Sequence, residues 1–269
     1  MNPMAPANCS FCGGPCYIAV RLPKHLIVAC RRCSIARTEP PPSTIDYDEL
    51  DFHGEFPYRT VDDLPNDWRT GLEMQRKLLR GHLHAGARVL EIGCSQGLLL
   101  GLLAQDGLRV CGIEPSSSAT KVAVAAGLDV RHGYFTRATV PAECFHAVIV
   151  SHVLEHIEHP EQFITDVAAV APGGLLLLVQ ANWRGWVPRK TKALWHAWAE
   201  GHHYWHFTAA GLSRWLTTQG AKPVELEYST LEHDGYWLAR LASWFPHASD
   251  QFHLLMRLPS TEANSHSPP

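Results

Sequence analysis

The sequence contains no apolar run that approaches the roughly 18 residues needed for a membrane-spanning helix. Its N-terminus also lacks the basic-then-apolar pattern of a secretory signal. The formal net charge is −3, so no excess of positive charge attracts nucleic acid or an anionic membrane. We therefore expect a cytoplasmic protein with no membrane partner, for which a nucleic-acid partner is disfavoured.

The chain has eight cysteines, and their positions argue against disulfide bonds. Five of the eight lie before residue 34, where Cys9-x-x-Cys12 and Cys30-x-x-Cys33 flank a strand-like stretch. This spacing predicts a zinc ribbon, in which four thiolates hold Zn²⁺ and stabilise a segment too short to build its own core. The zinc would be structural, because a closed site leaves no open coordination position. Cys16 is a surplus thiol that either replaces Cys12 or is a small buried residue.

The Gly-x-Gly-x-x-Gly pattern of dinucleotide-binding proteins is absent as well. Instead, the apolar run 88–92 breaks into a turn bounded by Gly93 and Gly97, and an apolar helical segment follows. This order predicts a strand, a tight turn and a helix. We expect the two glycines to remove Cβ atoms that would block a ligand. The carboxylate of Glu91, just before the turn, suits a cationic or amino-acid-like group of that ligand.

A second short strand, 109–114, ends in the carboxylate of Glu114. In a doubly wound sheet this is the place of the acid that binds a ribose. The two strands, the glycine turn and the sequence Glu114-Pro115-Ser116 together resemble the class I S-adenosylmethionine-dependent methyltransferases. The resemblance implies an α/β fold with a doubly wound, seven-stranded Rossmann-like sheet, and S-adenosylmethionine as the cofactor.

The resemblance also implies a set of cofactor contacts at the carboxyl ends of the strands. They are Glu91, Gly93, Cys94, Gly97, Glu114, Pro115, Gly133, Tyr134, Ser151 and His152. Tyr58 is a further candidate from the segment before the first strand of the sheet. For both tyrosines, packing of the ring in the core is the alternative. Relatives often place an acid after Gly133 to bond the adenine amine, and none follows here, so the adenine contact stays open.

Histidines after the fourth strand of the expected sheet form a further motif. Residues 151–160 resemble the His-Val-Leu-Glu-His segment that many small-molecule methyltransferases carry there. Residues just beyond the carboxyl end of such a strand face the ligand crevice. His152 is therefore a candidate base or a residue that orients the cofactor, whereas His156 and His159 are interpreted as structural or surface groups.

A Trp/His-rich insertion at 182–207 is interpreted as the acceptor side. Large aromatic side chains there favour a pocket for an aromatic acceptor, and an anionic group of that acceptor would meet Arg184, Arg189, Lys190 or Lys192. His203 and His206, three residues apart, would face one side of a helix, and either is a candidate catalytic base. A purely structural role is the alternative. A metal site is less favoured, because Glu200 is the only carboxylate close in sequence.

Composition divides the chain into four parts. We expect a zinc-ribbon module at 1–37, a linker and lid at 38–70, a catalytic domain at 71–258 that contains the insertion, and a disordered tail at 259–269. A helix is expected over 71–83 from its apolar spacing, and apolar runs predict strands at 145–150 and 175–179. Ser116 and Thr208 are expected to cap the helices that follow them. Strands at 222–229 and 252–258 would close the sheet as an antiparallel pair. An aromatic hairpin or helix is expected at 233–245.

The function predicted from these features is methyl transfer from S-adenosylmethionine to a small-molecule acceptor. Natural-product, sugar or cofactor biosynthesis is the expected context, and the motifs do not distinguish oxygen, nitrogen and carbon acceptors. Two alternatives stay open. One is an RNA or protein methyltransferase that docks its substrate through the ribbon, and the other is a non-catalytic S-adenosylmethionine-binding protein. No pattern indicates an oligomeric state.

Overall fold

The structure is a computed structural model that describes residues 7–43, 58, 60–140, 144–198, 201–229 and 249–260. The expected hairpin or helix at 233–245 lies outside these residues, as do residues 44–57 of the expected lid and 261–269 of the expected tail. The described strands are β1 (Cys16–Arg21), β2 (Leu26–Cys30), β3 (Ala36–Glu39), β4 (Arg88–Ile92), β5 (Arg109–Glu114), β6 (Val130–His132), β7 (Ala147–Ser151), β8 (Leu175–Ala181), β9 (Trp205–His206), β10 (Lys222–Ser229) and β11 (Gln251–Arg257). The helices are α1 (Asn66–Arg80), α2 (Leu98–Gln105), α3 (Ser117–Ala125), α4 (Pro160–Val170), α5 (Trp186–Thr191) and α6 (Ala209–Thr218).

Seven strands form one sheet in the order β10-β11-β8-β7-β4-β5-β6. Strand β4 pairs in parallel with both β5 and β7, and β5 pairs in parallel with β6. The chain adds strands on one side of β4 and then crosses to the other side, so a topological switch point lies between β4 and β7. The predicted doubly wound, seven-stranded sheet is confirmed.

Most element boundaries agree with the sequence prediction to within two or three residues, and α1 is the main exception. It begins at Asn66 and ends at Arg80, whereas the apolar spacing predicted 71–83. The first turn is polar and has no apolar periodicity, so the pattern did not reveal it. Pro65 precedes the helix and Asp67 lies in its first turn, where a negative charge is favoured by the helix dipole.

The chain divides into two compact units. We call residues 1–45, 154–158 and 179–254 the ribbon unit, and residues 46–153, 159–178 and 255–269 the core unit. The domain boundaries expected at 37, 70 and 258 stay predictions.

The core unit is built on the parallel strands β4, β5, β6 and β7. Val89, Leu90, Val148 and Ile149 are completely buried, as expected for parallel strands with both faces covered. An ion pair fastens α1 to the end of α2. The guanidinium of Arg76 donates two hydrogen bonds of 2.7 Å to the carboxylate of Asp106, and this contact holds the pKa of Asp106 below its ordinary value.

The ribbon unit contains a four-stranded sheet in the order β1-β2-β3-β9. All three pairings are antiparallel, and the last one places Ala36 opposite His206 and Arg37 opposite Trp205. Phe11, between the first two cysteines, packs edge-on against Trp205 and Trp215 at centroid distances of 4.8 and 4.9 Å. Sequence reasoning did not find that the insertion supplies a strand to the ribbon's sheet.

The tryptophans of the insertion are largely core residues. Trp183, Trp195 and Trp198 are 8%, 3% and 3% exposed and share a hydrophobic cluster with Ile27 and Ala29 of β2. The expectation that these three rings line an acceptor pocket is therefore wrong. A small ribbon offers too little apolar surface of its own, and the insertion provides the missing core.

None of the helices in the described part of the chain has both the length and the apolar character needed to cross a membrane.

Candidate functional site

The carboxylate of Glu114 stands at the centre of the predicted cofactor site in the core unit. Glu114 is the last residue of β5, and its carboxylate accepts hydrogen bonds from the backbone N–H of Ser95 at 2.7 Å and from that of Ser116 at 2.9 Å. Ser95 lies in the glycine turn with φ of 51°, a backbone conformation that is uncommon for serine. The turn after β4 and the turn after β5 are thus joined by one buried carboxylate. Sequence reasoning named Glu114 but missed the two backbone donors, which only the adopted turn conformation creates.

Glu91, in the neighbouring strand β4, carries a buried carboxyl group. It is 5% exposed, and its Oε2 atom has no hydrogen-bond partner among the residues that the structure describes. Burial, assisted by the charge of Glu114, raises the pKa of Glu91 to about 8. Such a group is costly to bury and is expected to be retained where a ligand completes it.

The two glycines of the turn are required by the backbone conformation and by the packing of the protein itself. Gly93 and Gly97 have φ of 73° and 77°, which glycine adopts without a steric penalty. A Cβ atom at Gly93 would approach Val153 Cγ2 to 2.5 Å, and one at Gly97 would approach Leu128 Cδ1 to 2.5 Å. The clearance therefore serves packing of the protein itself, and the expectation that these Cβ atoms would also block a ligand stays a prediction.

The side chain of Cys94 is buried beside the turn, and its Sγ atom lies 3.8 Å from the Ser95 carbonyl. It is buried with Leu100, Ala123 and Val130 in a hydrophobic cluster, and a Cβ atom at Gly112 would approach its Sγ atom to 2.5 Å. The cofactor contact expected of Cys94 stays a prediction.

Most of the remaining predicted cofactor residues lie at strand ends of the same unit. Ser151 ends β7 and is half-buried, and His152 follows it with φ of 52°. Positive φ at a residue with a side chain often marks a functional position. The contact between Val153 and Gly93 brings this segment to the glycine turn.

The predicted adenine side is more open. The Pro115 carbonyl lies 2.9 Å from Nε2 of His132, and the N–H of Gly133 donates to the Glu114 carbonyl at 2.9 Å. Tyr134 is 59% exposed, so the alternative that its ring packs in the core is wrong. Tyr58 packs against Trp68 at a centroid distance of 6.0 Å.

Four cysteines of the ribbon unit converge as their spacing predicts. The Sγ atoms of Cys9, Cys12, Cys30 and Cys33 all lie within 4.8 Å of one another. Backbone N–H groups of Arg32 and Cys33 approach the Cys30 Sγ atom at 3.3 and 3.5 Å, which favours a thiolate. Cys16 is not a member of the group; its Sγ atom lies 3.7 Å from Nη1 of Arg37.

Histidines of the ribbon unit form a second cluster. The rings of His156 and His203 are 4.5 Å apart, and that of His206 lies 6.0 Å from His203. Beside them, the buried carboxylate of Glu155 accepts a hydrogen bond from Gln180 at 2.8 Å. His206 is in a strand and no helix includes His203, so the helical spacing assumed for this pair is wrong.

The environment of these histidines argues against their predicted role as bases. Burial lowers the pKa of His206 to about 3, and Glu155 offsets this only in part. Burial, together with the neighbouring ring of His156, lowers the pKa of His203 well below its ordinary value. A general base works best when its pKa is near the working pH. The rings of His203 and His206 bind a proton too weakly at neutral pH to serve as the base. His206 Nε2 instead contacts the Thr38 hydroxyl of β3 at 3.0 Å.

Comparison with known proteins gives a consistent result. The sequence profile of a family described as a methyltransferase domain matches residues 68–226, which is more than half of the chain. The ubiquinone biosynthesis O-methyltransferase of Maricaulis maris (strain MCS10) is 32% identical over 129 residues, covering 39% of this chain and 51% of the relative. The protein of the same name from Methylobacterium sp. (strain 4-46) is 36% identical over 129 residues, covering 40% and 52%. This chain thus spans about half the length of these curated relatives.

A solved structure shares the fold. The S-adenosylmethionine-dependent methyltransferase from Mesorhizobium loti superposes with a TM-score of 0.52 at 18% sequence identity, covering 69% of this chain and 99% of that chain. With the sheet order and the family match, the conclusion is direct: this chain belongs to the methyltransferase-domain family, within the class I S-adenosylmethionine-dependent methyltransferases that the motifs around Gly93 and Glu114 predicted.

Proposed function

We propose that this protein transfers a methyl group from S-adenosylmethionine to a hydroxyl group of a small-molecule acceptor in cofactor biosynthesis. The names of the curated relatives support an oxygen acceptor and this context. The observation that carries the proposal is the buried carboxyl group of Glu91 in β4, close to Glu114, for whose Oε2 atom the described part of the chain provides no hydrogen-bond partner.

The residues at this position fit the cofactor. S-adenosylmethionine, when bound, supplies a methyl group activated by the positive charge of its sulfonium. Within the described ranges no group hydrogen-bonds to Glu91 Oε2, so in this proposal Glu91 offers a carboxylate to a cationic group. Glu114 holds the turn through Ser95 and Ser116. Glu114 ends β5, the place of the ribose-binding acid in a doubly wound sheet, and in this proposal it binds the ribose hydroxyls.

His152 is the proposed base for a hydroxyl acceptor. It follows β7 in a positive-φ conformation, and Val153 next to it contacts the glycine turn. The pKa values of His203 and His206 are lowered too far for this role. An aromatic or anionic acceptor remains part of the proposal, with Arg189 and Lys192 as candidate contacts. Lys190 is less available, because its ammonium lies 3.7 Å from the centroid of the Trp186 ring.

We further propose that Cys9, Cys12, Cys30 and Cys33 hold one structural Zn²⁺. The convergence of four sulfur atoms supports it, as does the small core of the ribbon without the metal. Metal analysis of the purified protein should find this zinc, and Cys33→Ser should remove it.

Calorimetry with S-adenosylmethionine and with its demethylated product tests the cofactor site. Glu114→Ala should weaken binding by about 1 to 3 kcal/mol, the usual loss for a charged hydrogen bond. Glu161→Ala, on the exposed first turn of α4, is the control and should bind normally. Equal affinity in Glu114→Ala would remove that residue from the ribose site.

Transfer is tested with isotope-labelled methyl donor and a panel of small phenols, amines and carbon acids. Label in a phenol is the expected result, and His152→Ala should lower kcat while the cofactor still binds. Label only in amines or carbon acids would contradict the hydroxyl acceptor. Tight cofactor binding without transfer to any acceptor would favour the non-catalytic alternative.

A further inference from the structure

Three potential metal ligands meet in the ribbon unit, separately from the four cysteines. One oxygen of Glu155 and one ring nitrogen each of His156 and His203 all lie within 4.8 Å of one another. The first two residues belong to the short helical turn Leu154–His156, and His203 comes from the segment before β9. The sequence disfavoured a metal here because Glu200 was the only carboxylate nearby along the chain. The fold supplies Glu155 instead.

Backbone contacts hold the two segments together. The N–H of Tyr204 donates to the Glu155 carbonyl at 2.8 Å, and the indole N–H of Trp205 donates to the Ile157 carbonyl at 2.9 Å. The three side chains are thereby set in place without a ligand. A metal site of this kind requires little rearrangement on binding.

Hydrogen bonds also select the ring nitrogen that each histidine presents. His156 Nδ1 lies 3.2 Å from the His202 carbonyl, and His203 Nδ1 lies 3.1 Å from the Ala197 carbonyl. A carbonyl oxygen only accepts, so each Nδ1 carries the hydrogen and the lone pair of each neutral ring is on Nε2. Metal-binding histidines are commonly oriented by a second hydrogen bond of this type.

Gln180 completes the arrangement around the carboxylate. Its side-chain amide donates to Glu155 Oε2 at 2.8 Å in a fully buried position. Ligating carboxylates are themselves usually held by hydrogen bonds. The cluster thus combines two imidazoles, one carboxylate and an outer partner for each.

We propose that Glu155, His156 and His203 bind one first-row divalent cation, such as Zn²⁺, Fe²⁺ or Mn²⁺. Two nitrogens and one oxygen suit these ions, and three protein ligands leave coordination positions for water or a ligand oxygen. This site goes beyond the proposed methyl transfer and does not depend on it.

Cobalt titration of the zinc-loaded protein tests the site. The chain is first supplied with one equivalent of Zn²⁺, which the four thiolates take, and Co²⁺ is then added while the visible spectrum is recorded. One Co²⁺ per chain should bind with d–d bands and without thiolate-to-metal charge transfer. Glu155→Gln and His203→Ala should each weaken Co²⁺ binding by at least about 100-fold, and Gln180→Ala by about 10-fold, as is typical of an outer partner.

Matched variants keep the test decisive. His159→Ala removes an exposed histidine three positions from His156 and should leave Co²⁺ affinity unchanged. His156→Gln alters a half-buried side chain, so its fold should survive even where a buried substitution fails, and circular dichroism checks this. The proposal is overturned if no Co²⁺ binds beyond the zinc, if all bound Co²⁺ shows thiolate charge transfer, or if folded His156→Gln binds Co²⁺ as the natural protein does.

Discussion

Glu91 illustrates how a single residue can trade stability for binding. Its pKa of about 8 arises from burial first and from the charge of Glu114 second. In the unfolded chain the group ionises near its ordinary value of 4.5, while in the folded chain it stays protonated until the pH approaches 8. Between these values the folded state binds one proton more than the unfolded state, so stability falls as the pH rises.

Glu91→Gln should therefore stabilise the cofactor-free protein at neutral pH. Between the two pKa values, the free energy of unfolding of the natural protein falls by roughly 1.4 kcal/mol per pH unit. We therefore expect the variant to be more stable than the natural protein by about 3 kcal/mol at pH 7 and to differ little from it near pH 4.5. Urea unfolding at the two pH values measures the difference. The variant should also bind S-adenosylmethionine more weakly, because the amide carries no charge for the cationic group.

A parallel variant separates this effect from a general change of charge. Glu161→Gln, on the exposed first turn of α4, should change stability equally little at both pH values. If Glu91→Gln is less stable than the natural protein at pH 7, the carboxylate is ionised in the folded state and already has a partner.

At the residue scale, the sequence located the acids and cysteines of the candidate sites but not the hydrogen bonds that they make. Glu91, Glu114 and the four cysteines follow from spacing alone, because strand ends and Cys-x-x-Cys turns have fixed local geometry. Glu155 could not be identified in this way. Its neighbours His156 and His203 are brought to it by long-range contacts that no local pattern encodes.

At the scale of elements, α6 shows how closely the ribbon is fitted to the rest of its unit. Thr208 caps the helix through the N–H of Gly211 at 3.1 Å, as the sequence predicted. Gly211 then faces the second cysteine turn, where a Cβ atom would approach the Cys33 carbonyl to 2.5 Å and the Thr208 hydroxyl to 2.9 Å. The carbonyl belongs to the backbone and cannot move aside cheaply.

Gly211→Ala should destabilise the protein by about 1 to 3 kcal/mol, the usual range for overpacking. Thermal unfolding measures the change. Gly101→Ala is the matched control, because Gly101 also lies within a helix and a Cβ atom added to it would enter open space. That control should be neutral or more stable by up to about 1 kcal/mol. Equal effects of both substitutions would contradict the contact with the cysteine turn.

Elements with strong local signals were predicted, and those that depend on partners were not. β4, β5, β7 and β8 were evident from apolar runs, and the N-caps of α3 and α6 from Ser116 and Thr208. β9 has only two residues, so it carries no periodicity, and its pairing with β3 defines it. The role of the tryptophans was predicted wrongly for a related reason. A high density of aromatic residues is typical of a buried core and of a binding pocket alike, and only the packing of these rings against β2 identifies them as core residues.

At the scale of the whole molecule, the ribbon unit combines segments far apart in sequence. Residues 1–45 share it with 154–158 and 179–254, and its core contains β2 side chains together with Trp183, Trp195 and Trp198. Loss of the proposed zinc should therefore destabilise segments well beyond the ribbon's own strands. The core unit has its own buried strands, so we expect it to keep its structure.

Cys30→Ser should remove the zinc from the four-cysteine group and increase amide hydrogen exchange throughout the ribbon unit. We expect at least a roughly tenfold increase in β2, β3, β9 and α6, because structural zinc contributes directly to folding free energy. β4 and β5 should keep their protection. Exchange mass spectrometry with peptide resolution measures both.

Cys16→Ser is the control for this experiment, since Cys16 lies in the same segment but outside the four-sulfur group. It should retain zinc and native exchange. Fast exchange confined to residues 9–39 in Cys30→Ser would show that the insertion keeps its structure without the metal-bound ribbon, contrary to the shared core. Equal loss of protection in β4 would show instead that the two units unfold together, so that zinc stabilises the cofactor-binding strands as well.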